Sequence, residues 1–272
     1  VLDHVRLIAE QADRVILCDN SKNNNRQLFN KIDGICYVGF KENLGLSKAF
    51  NRVLKDKKFN WKDDDLIIFF DQDSSIEDGH IKKLASEFMY FNNSQYKLGC
   101  LGPIFYNLSN DTVEIPKMKK LIKNNVYKVK NIITSSLITN YEMMKKVGFW
   151  NENIFLDFVD WDFCWRLQKI GYNCCITQSV ILQHSVGNGE RKVGALKLRV
   201  GAAFRVYYQT RDALYLLKES YIPLKMRIKL LLTITVRPII HFFCLGEKKV
   251  RVKYYIKGIK DYKAGVRGEI AV

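Results

Sequence analysis

Short, unbroken apolar runs that stop at turn residues alternate along this chain with segments of helical period. RVILCDNS (14–21) and GICYVGF (34–40) read as strands. GLSKAFNRVLKD (45–56) sets Leu46, Phe50, Val53 and Leu54 at helical spacing. DDDLIIFFDQD (63–73) is a third strand, HIKKLASEFMYF (80–91) a helix, and YKLGCLGPIFYN (96–107) holds another strand. NIITSSLITNYEMMKKVGFWNENIF (131–155) gives a strand, a helix over 141–146 and a turn at Gly148. DWDFCWRLQKIGY (160–172) is a helix closed by Gly171, and NCCITQSVILQH (173–184) a strand pair or a bent strand. Strands that are apolar throughout, and not at every second residue, are buried on both faces. The pattern therefore predicts an α/β fold with a mainly parallel sheet and helices on both sides. Ligands of such sheets bind beyond the carboxyl ends of the strands, where Asp19 and Asp71 fall.

The length of 272 residues, 47% hydrophobic, suits one full domain with a smaller appendage. The formal charge of +16 calls for an acidic partner, but it is unevenly spread. Residues 196–272 hold 17 Lys and Arg against 5 Asp and Glu, so residues 1–195 are close to neutral. The composition break divides the chain into a near-neutral body, 1–195, and a basic C-terminal region, 196–272. Seven cysteines, an odd number without a CxxC pair, fit buried thiols in a reducing compartment and not disulfides or zinc. No signal peptide is visible, and no uncharged apolar run reaches the ~18 residues a bilayer span needs.

Five stretches carry chemistry. Asp71 and Asp73, one residue apart at a strand end, suit a hard divalent ion shared with a diphosphate, or equally a polar helix cap. Asp19, in CDNS, can accept hydrogen bonds from a pyrimidine or a ribose, or can simply build a turn. Asn43 and Gly45 precede a helix whose start would favour phosphate, with Asn51 a turn or two on; an ordinary cap reads the same way. In FLDFVDWDFCWR, Asp157, Asp160 and Asp162 crowd one helix entrance, and Arg166 can pair with Asp162. Capping explains one or two of these acids, whereas a carboxylate among carboxylates and tryptophans has reason to hold its proton and serve as a general base. His184, before a glycine-rich turn, reads as a packed residue or as a ligand to phosphate or metal.

Taken together and in this order, DQDSS, FLDFVDWDFCWR and QHSVG resemble the family-2 inverting glycosyltransferases of the GT-A fold, most of all their rhamnosyltransferase branch, over roughly residues 10–215. The resemblance implies a nucleotide-diphospho-sugar donor, above all dTDP-L-rhamnose, and Mg²⁺ or Mn²⁺. It places Asp19 at the base and Asn43, Gly45 and Asn51 around the nucleotide sugar. Asp71 would meet ribose or metal, with Asp73 and His184 as metal ligands. Ser135 and Ser136 would lie near donor sugar or acceptor. Asp160 would be the base, in the place of the Asp of the family's Glu-Asp pair, with Asp157, Asp162 and Arg166 shaping its surroundings. Members of the family begin with a central apolar strand; here the helical segment VLDHVRLIAEQAD already starts at Val1, so that strand is missing from the expected sheet.

The C-terminal region interleaves apolar runs with Lys and Arg, and Lys229, Arg237, Pro238 and His241 interrupt it. It reads as amphipathic helices on an anionic membrane surface, or as helices packed back on the body. The first choice makes the chain a cytoplasmic enzyme, peripheral on the inner face of the plasma membrane, that moves L-rhamnose to a lipid-linked acceptor in cell-surface polysaccharide (cell wall) biosynthesis. Other sugars (galactofuranose, glucose, N-acetylglucosamine) and a truncated non-catalytic relative remain as alternatives. A nucleic-acid partner is not expected, because the body is near neutral and acidic around residues 157–162.

Overall fold

The computed structural model describes residues 2–72, 74–93, 95–107, 111–116, 119–184, 190–193, 196–199 and 201–271, with backbone alone at 107, 184, 190–193 and 196–199. In chain order the elements are α1 (Leu2–Ala9), β1 (Val15–Asp19), α2 (Arg26–Phe29), β2 (Ile35–Gly39), α3 (Gly45–Leu54), β3 (Leu66–Phe69), β4 (Ser74–Ser75) and α4 (His80–Phe91). There follow β5 (Leu98–Asn107), β6 (Thr112–Glu114), β7 (Lys120–Lys123), β8 (Val126–Val129), β9 (Leu137–Asn140), α5 (Tyr141–Lys146), α6 (Val159–Lys169), β10 (Asn173–His184), β11 (Glu190–Val193) and β12 (Leu196–Arg199). The C-terminal helices are α7 (Arg205–Leu216), α8 (Leu224–Ile234), α9 (Val236–Cys244) and α10 (Lys248–Lys263).

The α/β class holds, and the main sheet is mixed. Its order is β3-β9-β5-β10-β8-β7, with β4 added to β10 and β6 to β5. β5 and β10 run parallel, as do β1 and β2 in a separate pair, while β9 runs antiparallel to both β3 and β5. So β5–β10 is the parallel pair of a main sheet expected to be mainly parallel; its other pairs among the described residues are antiparallel, across long connections in β3–β9 and β8–β10 and in the β7–β8 hairpin turned at Asn124, whose φ is +50°. This hairpin was not legible in the sequence, because β7 is mostly exposed and β8 buries only Val126 and Val129, so neither strand carries a continuous apolar run.

Both faces of the sheet are covered. Neighbouring residues point to opposite sides, as a strand requires. Cys100, Leu137 and Cys174 join a core with Trp150, Phe163 and Trp165, whereas Leu101, Ile138 and Cys175 join Leu84, Phe88 and Phe91 of α4. Each face thus has its own helical cover, which explains the unbroken apolar strands. All seven cysteines are free thiols. The Sγ atoms of Cys100, Cys164 and Cys174 lie within 4.8 Å of one another inside this core.

β1 and β3 do not pair, and each leaves one edge without a strand partner among the described residues. Those edges line a common cavity of about 2360 Å³. From the C-terminal region, α7 is almost wholly buried, and its Ala213 and Leu216 enter the main core with Ile222 and Leu230. Gly258 lets α10 approach α7 closely: a Cβ there would stand 2.9 Å from the Tyr207 carbonyl oxygen. α8 and α9 instead leave Leu224, Ile228, Leu232, Ile239 and Phe243 at least half exposed. No helix among the described residues is long and apolar enough to cross a membrane.

Candidate active site

The cavity runs from the apolar gap between β1 and β3 to a polar mouth. Asp19, Asn43 and Asp71 line it from the strand ends, Asp157 and Asp160 from the entrance of α6, and Arg205, Gln209, Lys229 and Arg237 from the C-terminal helices.

Asp19 ends β1 as a strongly solvated carboxylate. Its oxygens accept from Ser21 N (2.9 Å) and Oγ (2.6 Å), Asn25 Nδ2 (3.0 Å) and the Tyr37 hydroxyl. Burial pulls its pKa up, but these hydrogen bonds outweigh it and hold it below the usual carboxylate range. Next to it, the Asn20 side chain accepts from Leu44 N and donates to the Gly45 carbonyl, both at 3.3 Å, which ties the end of β1 to the start of α3.

Asn43 faces the cavity and accepts from Gly45 N at 3.1 Å. Gly45 itself serves packing: at φ +75° its absent Cβ would lie 2.6 Å from the Phe155 ring and 2.7 Å from the Phe155 carbonyl oxygen. Asn51 lies on the other side of α3, buried. It donates to the Trp150 carbonyl (2.8 Å) and to Glu152 (2.7 Å) and accepts from Trp150 N (3.0 Å). Gly45 and Asn51 therefore hold α3 against the loop that leads to α6, and neither lines the cavity.

Asp71 stands just past β3 on the cavity wall, its amide 3.5 Å from Ser135 Oγ. Ser135 is fully buried behind that wall and shares a short hydrogen bond with Ser74. Ser136, at φ +60° and equally buried, bonds His80 Nε2 at 2.7 Å. Burial pushes the His80 pKa down to about 4, so the imidazole is neutral and structural. The two serines support the Asp71 loop from inside. Asp73 lies outside the described residues. Residue 184 is placed by its backbone, opposite Ser74 in the β10–β4 pair, so it reaches the same sheet end as the 71–75 segment; its side chain lies outside the described residues.

The three acids at the entrance of α6 separate sharply. Asp162 is fully buried, bonded to Arg166 Nε (2.8 Å), Asn151 Nδ2 (3.2 Å) and the Tyr221 hydroxyl. Arg166 in turn donates to the carbonyls of Val147 and Phe149, so this pair clamps the 147–151 turn and stays out of the cavity. Asp157 pairs with Arg205 (Nη2 to Oδ1, 2.6 Å). Asp160, half-buried, also faces the cavity and accepts from the Trp161 amide at 2.9 Å. Burial, with Cys164 and Asp157 nearby, pushes its pKa up from 3.8 to about 7. A carboxylate with that proton affinity suits proton abstraction at neutral pH.

The sequence reading missed Arg205, Asp212, Lys229 and Arg237. Asp212, buried beside Arg211 at 2.8 Å, accepts from Phe155 N at 2.9 Å and so fixes the loop just before Asp157. A usable signal was the spacing of Arg205 and Gln209 on one helix face, and both reach Asp157. Of the residues expected at a divalent cation, Asp71 lines the cavity at the strand end as a hard oxygen donor, whereas Asp73 and the side chain of residue 184 lie outside the described residues. The Cys100–Cys164–Cys174 group, by contrast, does not line the cavity.

Among solved structures, S. aureus TarS superimposes with a TM-score of 0.54 at 13% identity, over 98% of this chain and 46% of TarS. Its 1–349 fragment gives 0.51 at 13%, over 92% of this chain and 70% of the fragment. This chain thus spans about half the length of TarS, and the likeness shows the fold. The dTDP-rhamnosyl transferase RfbF of Shigella flexneri is 26% identical over 275 residues, covering 96% of this chain and 88% of RfbF. The model of glycosyl transferase family 2 matches residues 1–146, more than half of the sequence. With a GT-A fold and acidic groups from strand ends and a helix entrance on one cavity, the chain belongs to glycosyl transferase family 2.

Proposed function

We propose that the protein is an inverting rhamnosyltransferase that uses dTDP-L-rhamnose and a lipid-linked glycan acceptor. The observation that carries this reading is that Asp71, at the end of β3, and Asp160, at the entrance of α6, line one cavity. The name of the Shigella relative supports the donor.

On this reading Asp19 and Asn43 hold the nucleoside end of the donor. Asp71, with Asp73 and His184, would hold Mg²⁺ or Mn²⁺, which supplies charge neutralisation at the leaving diphosphate. Asp160 takes the proton from the acceptor hydroxyl as that oxygen attacks the anomeric carbon. The diphosphate leaves from the opposite face, so the carbon inverts in one displacement and no covalent sugar–enzyme intermediate forms. Arg205 keeps Asp157 engaged, and the acidic neighbour stays close enough to keep Asp160 basic. Orientation of the two substrates across the cavity contributes much of the acceleration. The exposed apolar residues of α8 and α9, set among lysines and arginines, favour attachment at an anionic membrane surface.

The decisive experiment offers a panel of nucleotide sugars and follows nucleotide release and the anomeric configuration of the product. dTDP-rhamnose should be turned over first, with inversion. Turnover of another sugar nucleotide in its place would move the assignment to that sugar, and retention would remove Asp160 from the role of base. Co-sedimentation with phosphatidylglycerol vesicles should exceed that with phosphatidylcholine and fall as salt rises.

A further inference from the structure

Three cations reach the cavity from three different C-terminal helices: Arg205 of α7, Lys229 of α8 and Arg237 of α9. Arg205 is partly neutralised by Asp157. Lys229 lies on the face of Trp161, its Nζ 4.0 Å from the ring centroid, next in sequence to Asp160. Arg237 donates from Nε to His241 Nε2 at 3.1 Å, and His241 is neutral there because burial and the neighbouring Arg237 and Arg251 push its pKa down to about 4. No carboxylate among the described residues forms an ion pair with Lys229 or Arg237. Burial pulls the pKa of Arg237 down, with Arg205 and Arg251 adding to the effect against Asp157, and burial with Arg237 does the same to Lys229. Cations that depress one another's pKa beside a partly desolvated wall, with Asp157 already paired to Arg205, favour a further anion there.

We propose that Lys229 and Arg237, assisted by Arg205, form a subsite for the phosphate or diphosphate of a lipid-linked acceptor. The proposal rests on the transferase reading above, and inversion sets the side: base and leaving group stand on opposite faces of the reacting carbon. Cations that flank the base, through Trp161 and Asp157, therefore belong to the acceptor and not to the leaving diphosphate. The same two helices supply the place for the lipid. Ile228 and Leu232 of α8, and Ile239 and Phe243 of α9, are exposed beside the cavity-facing Lys229 and Arg237. A hydrocarbon tail can follow their outer face while its phosphate reaches inward.

The test uses farnesyl diphosphate as probe, titrated calorimetrically into the full chain with Mg²⁺ and saturating dTDP, so that the donor's diphosphate position is filled. Binding should persist with dTDP present. The K229Q/R237Q double variant should lose at least about tenfold in probe affinity, as expected for lost charge-assisted hydrogen bonds, and should bind dTDP within about twofold of wild type, which also shows that it folds. Probe binding abolished by dTDP, or dTDP affinity falling as far as probe affinity, would assign these cations to the donor. Unchanged probe binding in the double variant would leave the tail alone as the anchor and overturn the subsite. The readout needs no turnover, so a wild-type enzyme inert towards dTDP-rhamnose would count against the donor assignment while the titration still decides the subsite.

Discussion

The two rims of the cavity treat a carboxylate in opposite ways. At the strand rim, Asp19 sits among hydroxyl, amide and phenol donors that hold it ionised below the usual range. At the helix rim, burial of Asp160, with Cys164 and Asp157 nearby, outweighs its backbone amide donors, and its pKa climbs to about 7. The same functional group becomes a fixed acceptor on one side and a proton acceptor of matched strength on the other. Environment, not residue type, assigns the roles. Asp162 is the internal control. It shares the first turn of α6 with Asp160, but a guanidinium, a phenol and an amide satisfy it, and it faces the core.

The sharpest way to break this contrast is Asp160→Asn. Transfer should fall by about 10²–10⁴-fold, the usual worth of a general base, with dTDP affinity retained and the melting temperature at neutral pH no lower than that of the wild type, since the ionised carboxylate costs stability there. A loss of stability equal to the loss of activity would make Asp160 structural. Asp162→Asn should behave in the reverse manner: it leaves Arg166 buried and uncompensated, at a cost of about 3–5 kcal/mol in urea unfolding. If the two variants gave the same phenotype, the division of labour along α6 would be lost.

How far this division was legible depends on range. The apolar strands, α3, α4, α6 and the acidic clusters were plain in the sequence because each is a local pattern. How Asp157, Asp160 and Asp162 divide between cavity, ion pair and core was not, since the answer is set by Arg205 on α7, Arg166 one turn on and Tyr221 beyond α7. Asn51 and Gly45 show the same limit. A buried Asn before a helix end and a left-handed Gly at a helix start look alike whether they face a ligand or the Trp150 and Phe155 backbone. The basic C-terminal region read as a charged surface, and its inward-facing cations emerged only when α8 and α9 folded over the mouth.

A smaller effect follows from the helix rim's proton affinity. kcat/KM should rise about tenfold per pH unit and level off near pH 7, as Asp160 loses its proton. Stability carries the opposite sign. Between pH 4 and 7 the unfolded chain has already ionised this carboxyl while the folded chain still holds the proton, so Asp160 lowers stability as pH rises through that window and adds no further change above it. Asp160→Asn should remove both slopes together. A pH–rate profile that keeps its limb in this variant would place the titrating group elsewhere.

The smallest effect belongs to the strand rim. Asp19→Asn removes a charge that accepts from Ser21, Asn25 and Tyr37, and the amide cannot satisfy the same donors. Affinity for dTDP, measured by calorimetry, should fall about tenfold, while the pH profile of transfer keeps its midpoint, because that midpoint resides on α6. Tyr37→Phe should fall in between, since it removes one donor and leaves the charge. A shift of the profile in either variant would mean that the two rims are electrostatically coupled across the cavity, and the fixed acceptor and the base would then have to be treated as one titrating system.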